Sequence, residues 1–272
     1  MTRGPFPEPS HEFKAVKVDA ADGVLTITLN RPDALNAFDD TMRADFLALQ
    51  WRIESDADIR VIVFKAEGDR AFGSGADISW FEADWATARF RVEYRWVHDF
   101  FDTLERVEIP VIAAIHGICA CGGLELAMAC DFRMATRDAT FRFTEGNINL
   151  IPGSGGCSRL ARMIGVGWAK EMVLAGAVLD AEKAMQVGLV TRLAETREAL
   201  YEEADALAAK LAGKAPQALG LAKAVLNTSN NIDETSARVL ERVAQSVLLK
   251  TEDHAEGIRA FREKRKPGYT GR

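Results

Sequence analysis

Two short segments of the sequence are apolar on both faces, 60–65 (RVIVFK) and 110–116 (PVIAAIH). Strands of this kind lie inside a sheet that is covered on both sides. Each segment is followed by a loop or turn and then by a helical pattern, and further strand patterns at 131–135 and 140–143 extend the series. This order predicts an α/β fold built from repeated, parallel ββα units rather than a sandwich or a helical bundle.

The flanking segments complete the predicted element order. Alternating residues at 15–18 and 23–29 predict a hairpin, and 39–55 predicts a helix with one apolar face. The aromatic segment 81–106 is also helical in pattern. After residue 155 helices dominate, with one strand predicted at 188–193. The predicted helices are 158–164, 167–174, 181–187, 197–211, 216–227, 232–249 and 251–264.

We expect three parts in the chain: a flexible tail at 1–12, an α/β core at 13–193, and a helical region at 194–272. The first ten residues lack the apolar stretch of a signal peptide. No apolar run approaches the roughly 20 residues that span a bilayer. We therefore expect a cytoplasmic protein without a membrane partner.

Charge and cysteine content exclude several classes of function. The net charge of −6 argues against a nucleic-acid-binding protein, which is normally basic. The four cysteines include one Cys-x-Cys pair but no second pair at metal-ligand spacing, so we expect buried free thiols and no metal. The segment 259–266 (RAFREKRK) carries five basic residues in eight. It is either a solvated helix end or an anion-binding site.

Two carboxylates, Glu125 and Glu145, lie in otherwise apolar or glycine-rich chain between residues 117 and 156. Glu125 follows the small-residue turn 121–123 (CGG) and lies in a run typical of a buried helix. A buried carboxylate costs free energy unless it is paired or its pKa shifts. Bare amides at a helix start also suit a developing oxyanion. These features predict acid–base chemistry in a dry cavity; structural roles, an ion-pair partner for Glu125 and a loop or cap carboxylate for Glu145, remain alternatives.

The aromatic residues near position 80 allow two interpretations. Trp80, Phe81 and Trp85 could line one wall of a substrate pocket. Alternatively, the whole aromatic segment packs its rings into the core or against another subunit.

Six stretches of the chain, in order and at the same spacing, resemble the crotonase superfamily, the enoyl-CoA hydratase/isomerase family. They are ITLNRPDALNAFD (27–39), AFGSGADIS (71–79), PVIAAIHGICACGGLELAMACD (110–131), FTEGNINLIPGSGG (143–156), AGAVLDAEKAMQVGLV (175–190) and AFREKRKP (260–267).

The resemblance implies a crotonase-like spiral of ββα turns followed by a C-terminal helical trimerisation region. It also implies an acyl-CoA substrate, of which coenzyme A is itself a part, with no separate cofactor and no metal. The expected assembly is a homotrimer or a hexamer formed as a dimer of trimers. Nucleic acid is not an expected partner.

The resemblance also implies roles for individual residues. Glu125 and Glu145 would be the catalytic acid–base pair, and the backbone N–H groups of Ala76 and Gly122 would form the oxyanion hole. The residues expected to contact substrate or coenzyme A are Lys65, Arg70, Gly75, Asp77, Ile78, Trp80 and Leu124, together with Phe261 and Lys264 from a neighbouring subunit.

The activity expected from these roles is reversible syn addition of water to a 2-enoyl-CoA, that is, an enoyl-CoA hydratase. The alternatives are a Δ3,Δ2-enoyl-CoA isomerase, another crotonase-type hydrolase or lyase reaction, and a non-catalytic scaffold that binds CoA or RNA. The sequence departs from the common family pattern at Ser79, Cys121, Gly146 and Asn149. Together, Asn147 and Asn149 argue against a simple straight-chain fatty acyl substrate.

Overall fold

Two sheets organise the chain in the computed structural model, which describes residues 11–82 and 84–272. Within these residues the strands β1 to β10 are Val16–Ala21, Val24–Leu29, Val61–Ala66, Ala71–Gly73, Val111–Ile115, Ile118–Ala120, Phe132–Thr136, Thr140–Arg142, Leu179–Asp180 and Arg192–Ala194. The larger sheet has the order β1-β2-β3-β5-β7-β10 and the smaller sheet the order β4-β6-β8-β9. Pairs β3/β4, β5/β6 and β7/β8 therefore each place one strand in each sheet.

The helices follow the strand pairs. Helices α1 to α10 are Asp40–Ser55, Thr87–Glu93, Arg95–Arg106, Gly122–Ala129, Ser158–Val173, Ala181–Gln186, Arg197–Ala212, Pro216–Ser229, Glu234–Leu248 and Glu252–Glu263. All neighbours in the larger sheet are parallel except β1 and β2, and β4, β6 and β8 are parallel in the smaller one. The predicted α/β spiral of ββα turns is confirmed.

The larger sheet is covered on both faces, which explains its doubly apolar strands. In β3, Val61 and Val63 belong to the apolar cluster that contains Leu200 of α7. Phe64 of the same strand points to the other cluster and lies 6.4 Å, between ring centroids, from Phe100 of α3. Burial on both sides favours an uninterrupted apolar run over an alternating one.

Short strands account for the main errors in the predicted strand positions. β4, β6 and β9 were not predicted because a strand of two or three residues shows no readable alternation. The strand predicted at 188–193 is misplaced, since β10 begins only at Arg192. Leu189 N and Val190 N instead donate to Ala184 O at the end of α6. Leu189 and Val190, both buried, therefore bond to the backbone of α6 and do not extend the strand.

The single helix predicted at 81–106 is wrong. A 3₁₀ helix spans Ile78–Phe81, α2 begins only at Thr87, and Tyr94 separates α2 from α3; Ala83 lies outside the described residues. The Trp85 indole N–H donates to Trp80 O over 2.9 Å, and the two rings pack with centroids 5.0 Å apart. Packing between aromatic side chains thus interrupts the helix that the local pattern favours.

The structure can be compared with the predicted tail at 1–12 and with the predicted boundary at residue 194. Residues 1–10 of the predicted tail lie outside the described residues, whereas a His11 ring nitrogen lies 2.6 Å from Asp45 Oδ1. The predicted boundary at residue 194 falls at the end of β10, yet α7 packs on the larger sheet and Leu219 of α8 packs against the same apolar cluster. Lys223 of α8 is buried and donates hydrogen bonds to Leu104 O and Ile109 O. Among the helices described, none is both long and apolar enough to cross a membrane.

Candidate active site

Glycines bring two main-chain segments into contact at one edge of the smaller sheet. β4 and β6 are parallel, so the segments that follow them, 74–77 and the start of α4, leave the sheet at the same edge. A Cβ on Gly123 would lie 2.3 Å from Gly73 O. Gly75 has φ of +100°, and a Cβ there would lie 2.9 Å from Gly122 N. Only glycine permits backbones this close.

The contact places two free amides beside one cavity. Gly122 is the first residue of α4, where an N–H has no partner within the helix. On the other segment, Gly75 O accepts a hydrogen bond from Phe38 N, and Asp77 N donates one to Phe38 O. Ala76 lies between Gly75 and Asp77, so its N–H is directed away from Phe38. Among the described residues, neither of these two N–H groups has a hydrogen-bond acceptor. Ala76 and Gly122 both line the cavity, and two free N–H groups at one cavity are the donors that an oxyanion site requires.

Gly123→Ala should lower the free energy of unfolding by about 3 kcal/mol, because the added methyl group forces α4 away from β4. For a chain of this size that corresponds to a melting temperature roughly 9 °C lower in calorimetry. The matched control is Gly167→Ala in α5, where a Cβ would meet no atom within 4 Å. Equal melting temperatures for the two variants would show that the close contact is not required.

Glu125 lies on α4 with its carboxylate in the cavity wall, and the residue is only 3% exposed. Its Oε1 accepts hydrogen bonds from Ser154 N (2.6 Å) and Gly156 N (2.9 Å). Burial raises the pKa of Glu125 to about 7, although the two amides oppose the shift. The hydrogen-bond partners of this carboxylate are thus main-chain amides. The alternative that Glu125 forms a structural ion pair with a basic side chain is not supported. A group that titrates near neutrality is suited to proton transfer.

Glu145 reaches the same cavity from the 3₁₀ helix Glu145–Ile148, which follows β8. Its Oε2 accepts a hydrogen bond from Thr144 N over 2.9 Å. This is the kind of contact expected if Glu145 were a helix-cap carboxylate, the structural alternative given above. Burial raises the pKa of Glu145, while the backbone N–H of Glu145 itself, the Cys121 thiol and the Thr144 N–H oppose that rise. The charge of Glu145 in turn contributes to the raised pKa of Glu125. The two carboxyls are therefore electrostatically coupled across one cavity.

The cavity has a volume of about 260 Å³ and a mainly apolar, aromatic wall. Six of the predicted site residues line it: Ala76, Ile78, Trp80, Gly122, Glu125 and Glu145. Phe81 lines it as well, as the pocket interpretation predicts, whereas Trp85 packs behind Trp80.

Three other predicted residues lie next to the cavity without lining it. Gly75 supports the amide contact, and Asp77 caps the 3₁₀ helix by accepting from Ser79 N. Hydrogen bonds from Ser79 are the main cause of the lowered pKa of Asp77. Leu124 is fully buried in the core. These positions are therefore structural supports of the site.

The predicted coenzyme A contacts are not brought to this cavity. Lys65 Nζ lies 2.7 Å from Asp205 Oδ1 and 5.0 Å from the Tyr201 ring centroid, and Arg70 is exposed at the start of β4. Phe261 is 84% exposed at the end of α10, and Lys264 is exposed just beyond it. Within one subunit, none of these four side chains lines the cavity.

Several lining residues were missed in the sequence. They are Phe38, Tyr94, Trp96, Val97, Thr144 and Ser154. Phe38 lies within the first family-like stretch, and Tyr94 and Trp96 lie within the aromatic segment. The sequence marks both regions but does not indicate that these three side chains line the cavity. Ser154 had no signal of its own, because its role depends on a contact with Glu125 across the fold.

The cysteines are free thiols, but the prediction that all are buried is wrong, because Cys121 is half-buried and Cys157 is exposed. Cys121 lines the cavity with φ of +51°, and its Sγ lies 3.1 Å from Thr144 Oγ1. Burial raises the pKa of this thiol to about 11, so it is neutral and can donate a hydrogen bond. Within residues 11–82 and 84–272, no group of three or more His, Cys, Asp or Glu side chains is placed to hold a metal ion.

Comparisons with known proteins agree with this geometry. The model of the Enoyl-CoA hydratase/isomerase family matches residues 19–272. The chain is 34% identical to short-chain-enoyl-CoA hydratase of Clostridium acetobutylicum, over 94% of this chain and 97% of the relative. It is 31% identical to crotonyl-CoA hydratase of Syntrophomonas wolfei, over 94% and 98%. The crystal structure of enoyl-CoA hydratase from Bacillus anthracis superposes with a TM-score of 0.89 at 35% identity, covering 95% of this chain and all of that one.

Proposed function

The chain belongs to the enoyl-CoA hydratase/isomerase family, and on that premise we propose that it adds water reversibly across the double bond of a 2-enoyl-CoA thioester. One observation carries the proposal. Two carboxyls, Glu125 and Glu145, line the same cavity as the free amides of Ala76 and Gly122. That arrangement supplies a base, an acid and an oxyanion site together.

In the proposed mechanism the thioester oxygen accepts hydrogen bonds from the Ala76 and Gly122 amides. Glu125 takes a proton from water, and the resulting hydroxide oxygen bonds to C3. The electron pair of the double bond shifts toward the thioester, which becomes an enolate held by the two amides. Glu145 then gives its proton to C2. Each amide could contribute about 3 kcal/mol to the stabilisation of this charge.

The pair of carboxyls favours hydration over isomerisation. Moving a double bond from C3 to C2 needs one carboxyl to carry one proton between carbons. Adding water needs a base for the water and an acid for C2. Burial raises the pKa of both carboxyls, so the coupled pair can hold one proton near neutral pH, with one carboxyl protonated and the other ionised.

A panel of acyl-CoA thioesters tests the proposal. We expect loss of the enoyl absorbance with 2-enoyl-CoA substrates such as crotonyl-CoA, with a product that is the 3-hydroxyacyl thioester. Branched, longer and aryl members of the panel would define the acyl preference. Conversion of 3-enoyl-CoA to 2-enoyl-CoA without any hydroxyacyl product would instead identify an isomerase. Thioester cleavage would identify a hydrolase.

The C-terminal helices support an oligomeric enzyme. Beyond α7, large apolar side chains are exposed: Leu226, Val239, Leu240, Val243, Val247, Leu249, Ile258 and Phe261. Exposed apolar surface on this scale is typical of a protein–protein interface. We propose that α8 to α10 form the contacts of a homotrimer or a dimer of trimers, and that Phe261 and Lys264 contact the coenzyme A bound to a neighbouring subunit.

Light scattering should therefore give the mass of a trimer or a hexamer. Phe261→Ala should raise KM for crotonyl-CoA about tenfold, as expected for the loss of one ring stacked on a base, with kcat nearly unchanged. Leu47→Ala, at an exposed apolar position on α1, is the control. A monomeric mass, or an unchanged KM in the Phe261 variant, would contradict a role of Phe261 across subunits.

A further inference from the structure

Tyr94 connects two parts of the cavity wall that are far apart in the sequence. It separates α2 from α3, and its ring packs on Phe90 and Trp80 with centroids 5.1 Å and 5.8 Å apart. On the other side, Ser154 Oγ donates a hydrogen bond to the Tyr94 hydroxyl oxygen over 2.9 Å. Tyr94 therefore joins the aromatic wall to the segment 152–156.

The segment 152–156 has no regular secondary structure to fix its position, yet it supplies both amides that bind Glu125. Its position depends on side chains. Ser154 is 3% exposed and bonds to Tyr94, and Arg159 Nη1 donates to Ser154 O over 3.0 Å. The Tyr94 ring also packs on the backbone, 3.2 Å from where a Cβ on Gly153 would lie.

The Ser154 amide makes the shorter of the two recorded contacts to Glu125, 2.6 Å against 2.9 Å from Gly156. Hydrogen bonds from amides stabilise the charged form of a carboxylate. Displacement of Ser154 therefore both frees the orientation of the carboxyl and makes it harder to ionise. Burial and the charge of Glu125 raise the pKa of Tyr94 to about 12, so its hydroxyl is neutral wherever the enzyme works.

We propose that Tyr94 is a positioning residue: its hydroxyl holds Ser154, and the Ser154 amide in turn holds the Glu125 carboxylate in the orientation that hydration requires. The inference rests on the proposed function of Glu125. It gives the aromatic segment a role in positioning Glu125, in addition to forming part of the cavity wall.

Two variants remove the link while leaving the rest of the site in place. Tyr94→Phe keeps the stacked ring and deletes the hydroxyl, and Ser154→Ala keeps the amide and deletes its side-chain hydroxyl. Each should lower kcat for crotonyl-CoA hydration about tenfold, with KM changed less than about twofold. The double variant should be no slower than the slower single variant, because both remove the same contact. Tyr269→Phe, outside the cavity, is the control and should match the wild type.

A readout that does not depend on turnover separates this inference from the proposed function. Infrared difference spectroscopy over a pH titration should show the Glu125 carboxyl band, identified by its loss in Glu125→Gln. The titration midpoint should move to higher pH in both Tyr94→Phe and Ser154→Ala. An unmoved midpoint, multiplicative rate losses in the double variant, or a change in KM alone would overturn the positioning role. A moved midpoint in a protein that hydrates no enoyl-CoA would instead refute only the proposed function.

Discussion

Glu125→Gln is expected to lower kcat for crotonyl-CoA hydration by about 10³-fold, the loss typical of a missing general base. The amide has nearly the same shape as the carboxyl but cannot take a proton from water. Binding of the thioester depends mainly on other groups, so KM should change little. The measurement is the initial loss of enoyl absorbance, with the acyl-CoA dissociation constant determined separately by calorimetry.

The matched control for this variant is Glu202→Gln on the exposed face of α7, which should behave as the wild type. A Glu125 variant that keeps more than about a tenth of the wild-type kcat would exclude Glu125 as the base. A variant that loses acyl-CoA binding altogether would indicate that the carboxyl supports the fold of the cavity instead.

The pH profile offers an independent check on the same residue. Burial raises the pKa of Glu125 to about 7, and in the proposed mechanism this base must be ionised. Hydration should therefore be retained above that pH and be lost as pH falls through it. The residual activity of Glu125→Gln should lack this acid limb. An unchanged limb in the variant would assign the titration to another group.

Glu145→Gln is expected to lower hydration by a similar factor of about 10³, but through a different step. In the proposed mechanism Glu145 exchanges the proton at C2. Butyryl-CoA isolates that step because it has no double bond and no hydroxyl. Incubated in D₂O with the wild type, it should gain deuterium at C2, since Glu145 removes a C2 proton and the two amides hold the resulting enolate.

The two glutamate variants should therefore separate in this exchange measurement. Glu145→Gln should abolish deuterium incorporation into butyryl-CoA, whereas Glu125→Gln should retain it within a few-fold. The reverse pattern would exchange the roles of the two carboxyls. Loss of incorporation in both variants would mean that the pair acts as one unit at C2.

The sequence was sufficient for the fold where burial left a strong local pattern. β3 and β5 were predicted because sheets covered on both faces require apolar side chains at every position. β4 and β6 could not be predicted, because three residues held by contacts between glycines leave no pattern of their own. The break in the aromatic segment arises from Trp80 and Trp85, whose packing overrides local helical preference.

The site was predictable where a residue has a chemical signal of its own or a role implied by the family resemblance. Glu125 and Glu145 are carboxylates in apolar or glycine-rich chain, the resemblance implies the roles of Ala76 and Gly122, and all four residues line one cavity. Ser154 also lies in a family-like stretch, but its contact with Glu125 joins residues 29 positions apart and leaves no local signal. Contacts of this kind follow from the packing of loops, which local sequence patterns do not encode.

The contact between the Gly73 and Gly123 backbones has a consequence for altering this protein in the laboratory. It sets the spacing of the two amides through main-chain atoms, whereas side chains of the separate segment 78–97 form the aromatic wall. Libraries that vary Trp80, Phe81 and Trp96 should therefore broaden or shift the range of acyl groups accepted. The Ala76 and Gly122 amides, which polarise the carbonyl in the proposed mechanism, would keep their positions in every member that folds.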